Sequence, residues 1–196
     1  MWFYQEITLL PNPEVHRNFL WSKVFQQIHL ALVEMQDDQG RVPIGVAFPE
    51  YHIGKKYSLL GSKLRLFAQD ETTLARFDAQ KWLTRLSDYV HCTSIRPVPE
   101  KLTGYATYQR EQPQTNKERL ARRYAKRHNV DYDTALQRYQ DMPHKTITTP
   151  FIRLKSLTNQ QTFCLWIKKI EVSTASVGRF SSYGLSASFT VPEFEF

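Results

Sequence analysis

From Arg110 to His128 the chain reads Arg-Glu-Gln-Pro-Gln-Thr-Asn-Lys-Glu-Arg-Leu-Ala-Arg-Arg-Tyr-Ala-Lys-Arg-His. Thr115 and Glu118 have the spacing of a capping box, in which a hydroxyl and a carboxylate each satisfy a free backbone N–H at a helix start. The pattern predicts a helix over 116–128 with Arg119, Arg122, Arg123, Lys126 and Arg127 on one face, and Leu120 and Tyr124 beside them as anchors. No acid interrupts that stripe. Its cations repel one another, and a run of phosphates relieves the repulsion. The chemistry this face suits is polyanion binding.

The charge distribution points the same way. Residues 1–100 hold 11 Lys and Arg against 11 Asp and Glu, whereas residues 101–196 hold 15 against 8 and so carry the whole net charge of +7. Residues 101–128 alone hold 8 against 2. Positive potential confined to one segment is the footprint of a nucleic-acid site rather than of a generally basic protein. With 41% hydrophobic and 13% aromatic residues, the 196-residue chain can build real cores, which excludes global disorder. No apolar run reaches bilayer-spanning length, and the start Met1-Trp-Phe-Tyr-Gln-Glu lacks the features of a signal peptide. Cys92 and Cys164 lie in strand-like runs and read as free thiols of a reducing compartment, with no Cys/His cluster for a metal. The expectation is a soluble cytoplasmic protein without a cofactor or metal and without membrane contact.

The elements that must position this chemistry come from periodicity. Residues 3–10, 42–48, 63–68 and 90–96 read as strands, and 14–36 and 71–89 as helices. Leu20, Val24, Ile28, Ala31 and Met35 form the apolar stripe of the first helix. The order β-α-β-β-α-β predicts an α+β protein with an N-terminal ferredoxin-like domain over 1–97. Pro97, Pro99 and Gly104 mark a break, where the charge also changes. A second, basic α+β domain is expected over 98–196: a strand at 105–112, the basic helix, a short helix near 132–140, a hairpin of 151–156 with 162–167, and an extended tail in which Gly184 marks a bend or close approach.

In order along the chain stand Ile44-Gly-Val with Phe48-Pro49, Arg110-Glu-Gln112, the helix Glu118-Arg-Leu-Ala-Arg-Arg-Tyr-Ala-Lys-Arg-His128, Phe151-Ile-Arg-Leu-Lys-Ser156 followed by Phe163, and Ser182-Tyr-Gly-Leu-Ser186, with His29 after Phe25 in the first helix. Over nearly its full length the chain resembles the type I-F CRISPR-associated endoribonuclease, which cuts the repeat hairpins of a CRISPR precursor transcript into guide RNAs. The resemblance implies a metal-independent cut at the 3′ base of the stem. The 2′-hydroxyl of the upstream nucleotide attacks the phosphate, leaving a 2′,3′-cyclic phosphate and a 5′-hydroxyl. It puts the catalytic histidine at His29, the active-site serine at Ser156 and the tyrosine contacting the histidine at Tyr183. Arg110 and Gln112 become the paired base readers, and Phe163 the aromatic stacked on the terminal base pair. Arg123, Lys126 and Arg127 become groove contacts, Lys126 departing from the usual arginine and losing its planar fork. The partners implied are the CRISPR repeat stem-loop and the other subunits of a type I-F guide-RNA surveillance complex, with the cut stem-loop kept bound.

Those residue types suit the reaction. A 2′-hydroxyl needs a base, and imidazole titrates near neutral pH. Alternation along a strand would turn Arg110 and Gln112 to one side, Arg matching guanine O6/N7 and Gln matching adenine N6/N7. Read from the residues alone, a hairpin-RNA-binding protein that does not cut remains an alternative, as does a basic DNA-binding or ribosomal-type protein. Only His29, Ser156 and Tyr183 separate cutting from holding.

Overall fold

The computed structural model describes residues 1–112, 117–140, 147–156 and 159–195. Thr115 of the expected capping box lies outside the described residues, as do His144 and Thr158. The protein is α+β. In chain order its elements are β1 (Phe3–Leu9), α1 (Arg17–Glu34), β2 (Gly45–Ala47), β3 (His52–Ile53), β4 (Ser58–Leu59), β5 (Lys63–Ala68), α2 (Glu71–Phe77), α3 (Ala79–Trp82), β6 (Val90–Cys92), β7 (Arg96–Pro97), β8 (Gly104–Glu111), α4 (Lys117–His128), α5 (Tyr132–Gln137), β9 (Phe151–Lys155), β10 (Thr162–Val172) and β11 (Val191–Glu193).

Two compact units result, Met1–Glu111 with Thr149–Phe196, and Gln112–Thr148. The division expected after residue 97 therefore falls inside the first unit. The chain leaves that unit at the end of β8 and returns to it just before β9.

In the first unit one sheet has the order β2-β5-β1-β6, every neighbouring pair antiparallel, with β7 pairing the start of β1. A second antiparallel sheet runs β11-β8-β10-β9. The first helix joins them, packing against both β1 and β9. Its buried face is Leu20, Trp21, Val24, Phe25, Ile28, Ala31 and Leu32, wider than the narrow stripe read from sequence because Trp21, Phe25 and Leu32 also face apolar surface. Val24, Phe25 and Ile28 are fully buried in a core shared by both sheets, where truncating a side chain such as Ile28 to Ala costs about 2–5 kcal/mol. The helix expected over 71–89 is broken. Asp78 adopts φ 48°, ending α2, while its carboxylate accepts from the Lys81 N–H to start α3. Asp and Asn tolerate that left-handed conformation better than other side chains do.

Among its described residues the second unit is a helix pair. Ala121 of α4 and Ala135 of α5 are its buried contacts, small enough for two short helices to approach. Tyr124 stacks on His128 at 4.2 Å and meets Tyr139 edge-on, with the Arg138 guanidinium 4.9 Å from its ring. Lys117 donates to the Gln140 carbonyl at 2.6 Å. Asn129, at φ 51°, ends α4.

Candidate active site and nucleic-acid interface

His29 lies in the fourth turn of α1, half-buried beside Phe25 and Leu32. Its Nδ1 is 2.8 Å from the Ser182 carbonyl oxygen. A carbonyl only accepts, so Nδ1 carries the proton and donates. In the neutral ring Nε2 is then left as the basic nitrogen. Burial lowers the imidazole pKa from its ordinary 6.5, and the Ser182 hydrogen bond offsets part of that. The ring is thus biased towards the neutral form that can take a proton.

Tyr183 stacks on His29 with ring centroids 4.2 Å apart and an interplanar angle of 10°. Together the ring face and the Ser182 hydrogen bond fix the imidazole plane. Both come from a turn whose backbone is pinned on two sides. Phe180 exchanges two hydrogen bonds with Val42, the Gly184 carbonyl accepts from the Val46 N–H, and the Ser186 N–H donates to the Tyr108 carbonyl. Gly184 has φ +69°, and a Cβ there would lie 2.5 Å from Val46 Cγ1, so this position requires glycine. The close approach read from sequence at Gly184 is present.

The Tyr183 ring meets Phe163 edge-on at 6.5 Å. Arg110, exposed near the end of β8, holds its guanidinium 5.5 Å from the Phe163 ring centroid and 5.9 Å from that of Tyr183. Burial raises the Tyr183 phenol pKa, against the opposing charge of Arg110. A continuous line of contacts therefore runs Phe163, Arg110, Tyr183, His29. Ser156 follows the last residue of β9, and its N–H donates to the Gln161 carbonyl. The neighbouring Lys155 N–H donates to Gln26 Oε1 at 3.3 Å, which ties this strand end to α1 one turn before His29. Gln26 and the Ser182 main chain were not among the residues singled out from sequence. A carbonyl leaves no side-chain signal, and Gln26 reads as an ordinary helix-surface residue.

The strand carrying Arg110 ends at Glu111, so Gln112 lies beyond it, exposed, in the second unit. The alternation expected to turn both side chains to one side stops one residue short. The remaining candidates, Arg119, Arg122, Arg123, Lys126 and Arg127, are all exposed on α4. Among the described residues none of Arg122, Arg123, Lys126 and Arg127 forms an ion pair. Likewise, no group of three or more His, Cys, Asp or Glu side chains is placed to hold a metal ion, and no helix is long and apolar enough to cross a membrane. Cys92 and Cys164 are free thiols.

Residues 4–194 match the family described as CRISPR-associated protein (Cas_Csy4). This chain belongs to that family. It is 34% identical over 192 residues to the CRISPR-associated endonuclease Cas6/Csy4 of Escherichia coli (strain UTI89 / UPEC), covering 97% of this chain and 98% of that protein. Against the protein of the same name from Pseudomonas aeruginosa (strain UCBPP-PA14) it is 35% identical over 192 residues, with the same coverage. The resemblance carried by the sequence motifs is thus a family membership, and this Csy4-family protein is an endoribonuclease.

Proposed function

We propose that this Csy4-family endoribonuclease cuts CRISPR repeat stem-loops at the 3′ base of the stem, without a metal, and keeps the product hairpin. In the step proposed, His29 Nε2 takes the proton of the 2′-hydroxyl upstream of the cut. The 2′-oxygen then bonds to phosphorus, the bond from phosphorus to the 5′-oxygen breaks, and that oxygen takes up a proton. The products carry a 2′,3′-cyclic phosphate and a 5′-hydroxyl. Tyr183 orients the imidazole, and the Ser156 hydroxyl binds the ribose or the attacking oxygen. The observation that carries this reading is the His29 geometry: one nitrogen committed to Ser182, the ring stacked on Tyr183, and the other nitrogen left basic.

The hairpin is held by phosphate contacts from Arg119, Arg122, Arg123, Lys126 and Arg127, by base readout from Arg110 and Gln112, and by stacking on Phe163. The exposed, acid-free face of α4 supports the first of these. The ferredoxin-like reading of residues 1–97 is supported by the antiparallel order β2-β5-β1-β6 around two helical segments. In the division proposed, this part carries the catalytic histidine and residues 98–196 hold the RNA. The protein works in the cytoplasm and remains as a subunit of a type I-F guide-RNA surveillance complex.

The test uses a repeat stem-loop with a single 2′-deoxy substitution just upstream of the cut, alongside the unmodified RNA, both in excess EDTA. Unmodified RNA is expected to be cut to cyclic-phosphate and 5′-hydroxyl ends, and the deoxy RNA to be bound but intact. Cleavage of the deoxy RNA, or loss of all cleavage in EDTA, would overturn the mechanism.

A further inference from the structure

The β3–β4 hairpin buries almost nothing of itself, yet the fold anchors it on several sides. Ile53 is 49% exposed, Tyr57 66% and Leu59 40%, while His52, Lys55 and Lys56 also stand in solvent. Two strands of two residues are not stable by themselves. The base of the hairpin supplies the rigidity. Glu50 Oε2 accepts from both the N–H and the hydroxyl of Ser62, Tyr51 donates its hydroxyl to the Ile167 carbonyl, and Trp21 Nε1 donates to the Gly61 carbonyl. Gly61 has φ +82°, and a Cβ there would sit 2.2 Å from that of Glu50, so the closure requires glycine. These contacts hold up a tip that contributes nothing to the core.

The chemistry of that tip is specific. Residues 51–69 contain no Asp or Glu. Their four cations divide in two: Lys63 and Arg65 both pair with Glu6, while among the described residues Lys55 and Lys56 have no ion pair. His52 pairs Leu59 across the hairpin, and the Gly54 N–H donates to the Tyr57 carbonyl. By strand alternation His52, Tyr57 and Leu59 share one face, with the two lysines at the turn beside it. Exposed aromatic and imidazole faces next to unpaired cations form the stacking-plus-phosphate platform that single-stranded nucleic acid uses. A protein partner would be met by the same apolar atoms, but two adjacent cations with no acid in 19 residues favour a polyanion.

We propose that the β3–β4 hairpin is a second RNA contact, which binds the single strand flanking the repeat stem through phosphate contacts to Lys55 and Lys56 and stacking on Tyr57. This rests on the hairpin-cutting function proposed above, since only a stem within a longer transcript presents such a flank. The probes are a 2′-deoxy-blocked repeat stem-loop, bare or extended on its 5′ or its 3′ side by an oligouridine of about 12 nucleotides, within the usual footprint of single-strand sites. One of the two extensions is expected to raise wild-type affinity severalfold and to steepen the log–log salt slope by about 1.4, for two added single-strand phosphate contacts. Lys55→Ala/Lys56→Ala and, separately, Tyr57→Ala should abolish that gain while binding the bare stem-loop as wild type does. Wild-type binding of the bare stem-loop with no gain from either extension would overturn the inference and leave the hairpin-cutting function standing. Equal losses on bare and extended RNA, or variants that retain the full gain, would also overturn it, the latter leaving the apolar tip to a protein partner. Failure of wild type to bind the bare stem-loop would instead overturn the function on which the inference rests.

Discussion

Arg65 in β5 is 5% exposed and fully engaged: its Nε donates to Glu6 at 2.8 Å, its Nη1 to the Phe194 carbonyl at 2.8 Å, and its guanidinium lies 4.1 Å from the Phe194 ring centroid. Lys63 completes the cluster at 2.7 Å from the same Glu6 carboxylate. Lys169 is held in the same way, 2.6 Å from Glu193, which also accepts from the Tyr108 hydroxyl. On α4 the pattern reverses, with Arg122, Arg123, Lys126 and Arg127 in solvent and without an ion pair among the described residues. The difference separates cations that hold the protein together from cations that, in the function proposed, are kept free for RNA phosphate. Desolvated charge is tolerated only where a partner is fixed beside it. Exposed charge on a short helix costs little and leaves the guanidinium groups available for phosphate.

The largest expected effect tests the first half of that contrast. Arg65→Ala leaves the Glu6 carboxylate buried beside Lys63 alone, and should cost about 3–5 kcal/mol of stability in denaturant unfolding. A change within 1 kcal/mol would mean that Lys63 and water satisfy Glu6 without Arg65. The same cluster gives a pH dependence. Burial pushes the Glu6 pKa up, but the hydrogen bonds from Lys63 and Arg65 outweigh it, so the folded value lies below the ordinary 4.5. A depressed carboxylate pKa contributes stability that is present above pH 4.5 and lost as pH falls through the lower folded value. Arg65→Ala should flatten the acid limb of the stability profile, and an unchanged limb would place acid sensitivity elsewhere.

The second half predicts the opposite behaviour on α4. Charge reversal at Arg123 and Arg127 should leave the unfolding midpoint unchanged while weakening every stem-loop tested. The wild-type log–log salt slope is expected near −3.5 to −4.5 for five neutralised phosphates, at about −0.7 to −0.9 per contact. Unchanged affinity in the double variant would remove α4 from the interface. Smaller and more selective losses are expected for Arg110→Ala and Gln112→Ala, each about 1–3 kcal/mol and concentrated at one base pair near the stem base. Equal loss across all stems would make these two side chains positioning contacts.

Activity should follow pH in the direction set by His29. Burial lowers its pKa below the ordinary 6.5, so the ionisation seen in kcat/KM, which reports the free enzyme, should have its midpoint below that value. A midpoint above 6.5 would contradict the desolvated site.

How much of this could be read beforehand differs element by element. The first helix, β5, the β9–β10 hairpin and α4 were legible because each carries an uninterrupted period or a run of like charge. The helix over 71–89 was not, because its break depends on Asp78 adopting positive φ, which leaves the apolar spacing on either side intact. The tail 180–191 reads as extended but is mostly irregular, pinned by backbone bonds to Val42, Val46 and Tyr108. Such partners have no local signature. For the same reason motif order points to His29 and Tyr183 as candidates, while the Ser182 carbonyl that holds the imidazole Nδ1 leaves no mark in the sequence. The sequence marks Arg110 as a candidate reader, but not its resting place over Phe163 and Tyr183, since cation–ring contacts join β8, β10 and the tail only after folding.

The separation of chemistry from holding is tested most directly by measuring binding and single-turnover cleavage in parallel for His29→Ala and for Arg123→Glu/Arg127→Glu. His29→Ala is expected to bind the repeat stem-loop with wild-type affinity but to cut it at least about 10²-fold more slowly, the lower range for loss of a general base. The double variant should bind weakly, yet cut at close to the wild-type rate once protein is saturating. The contrary result is His29→Ala cutting at the wild-type rate, or the double variant binding normally while failing to cut.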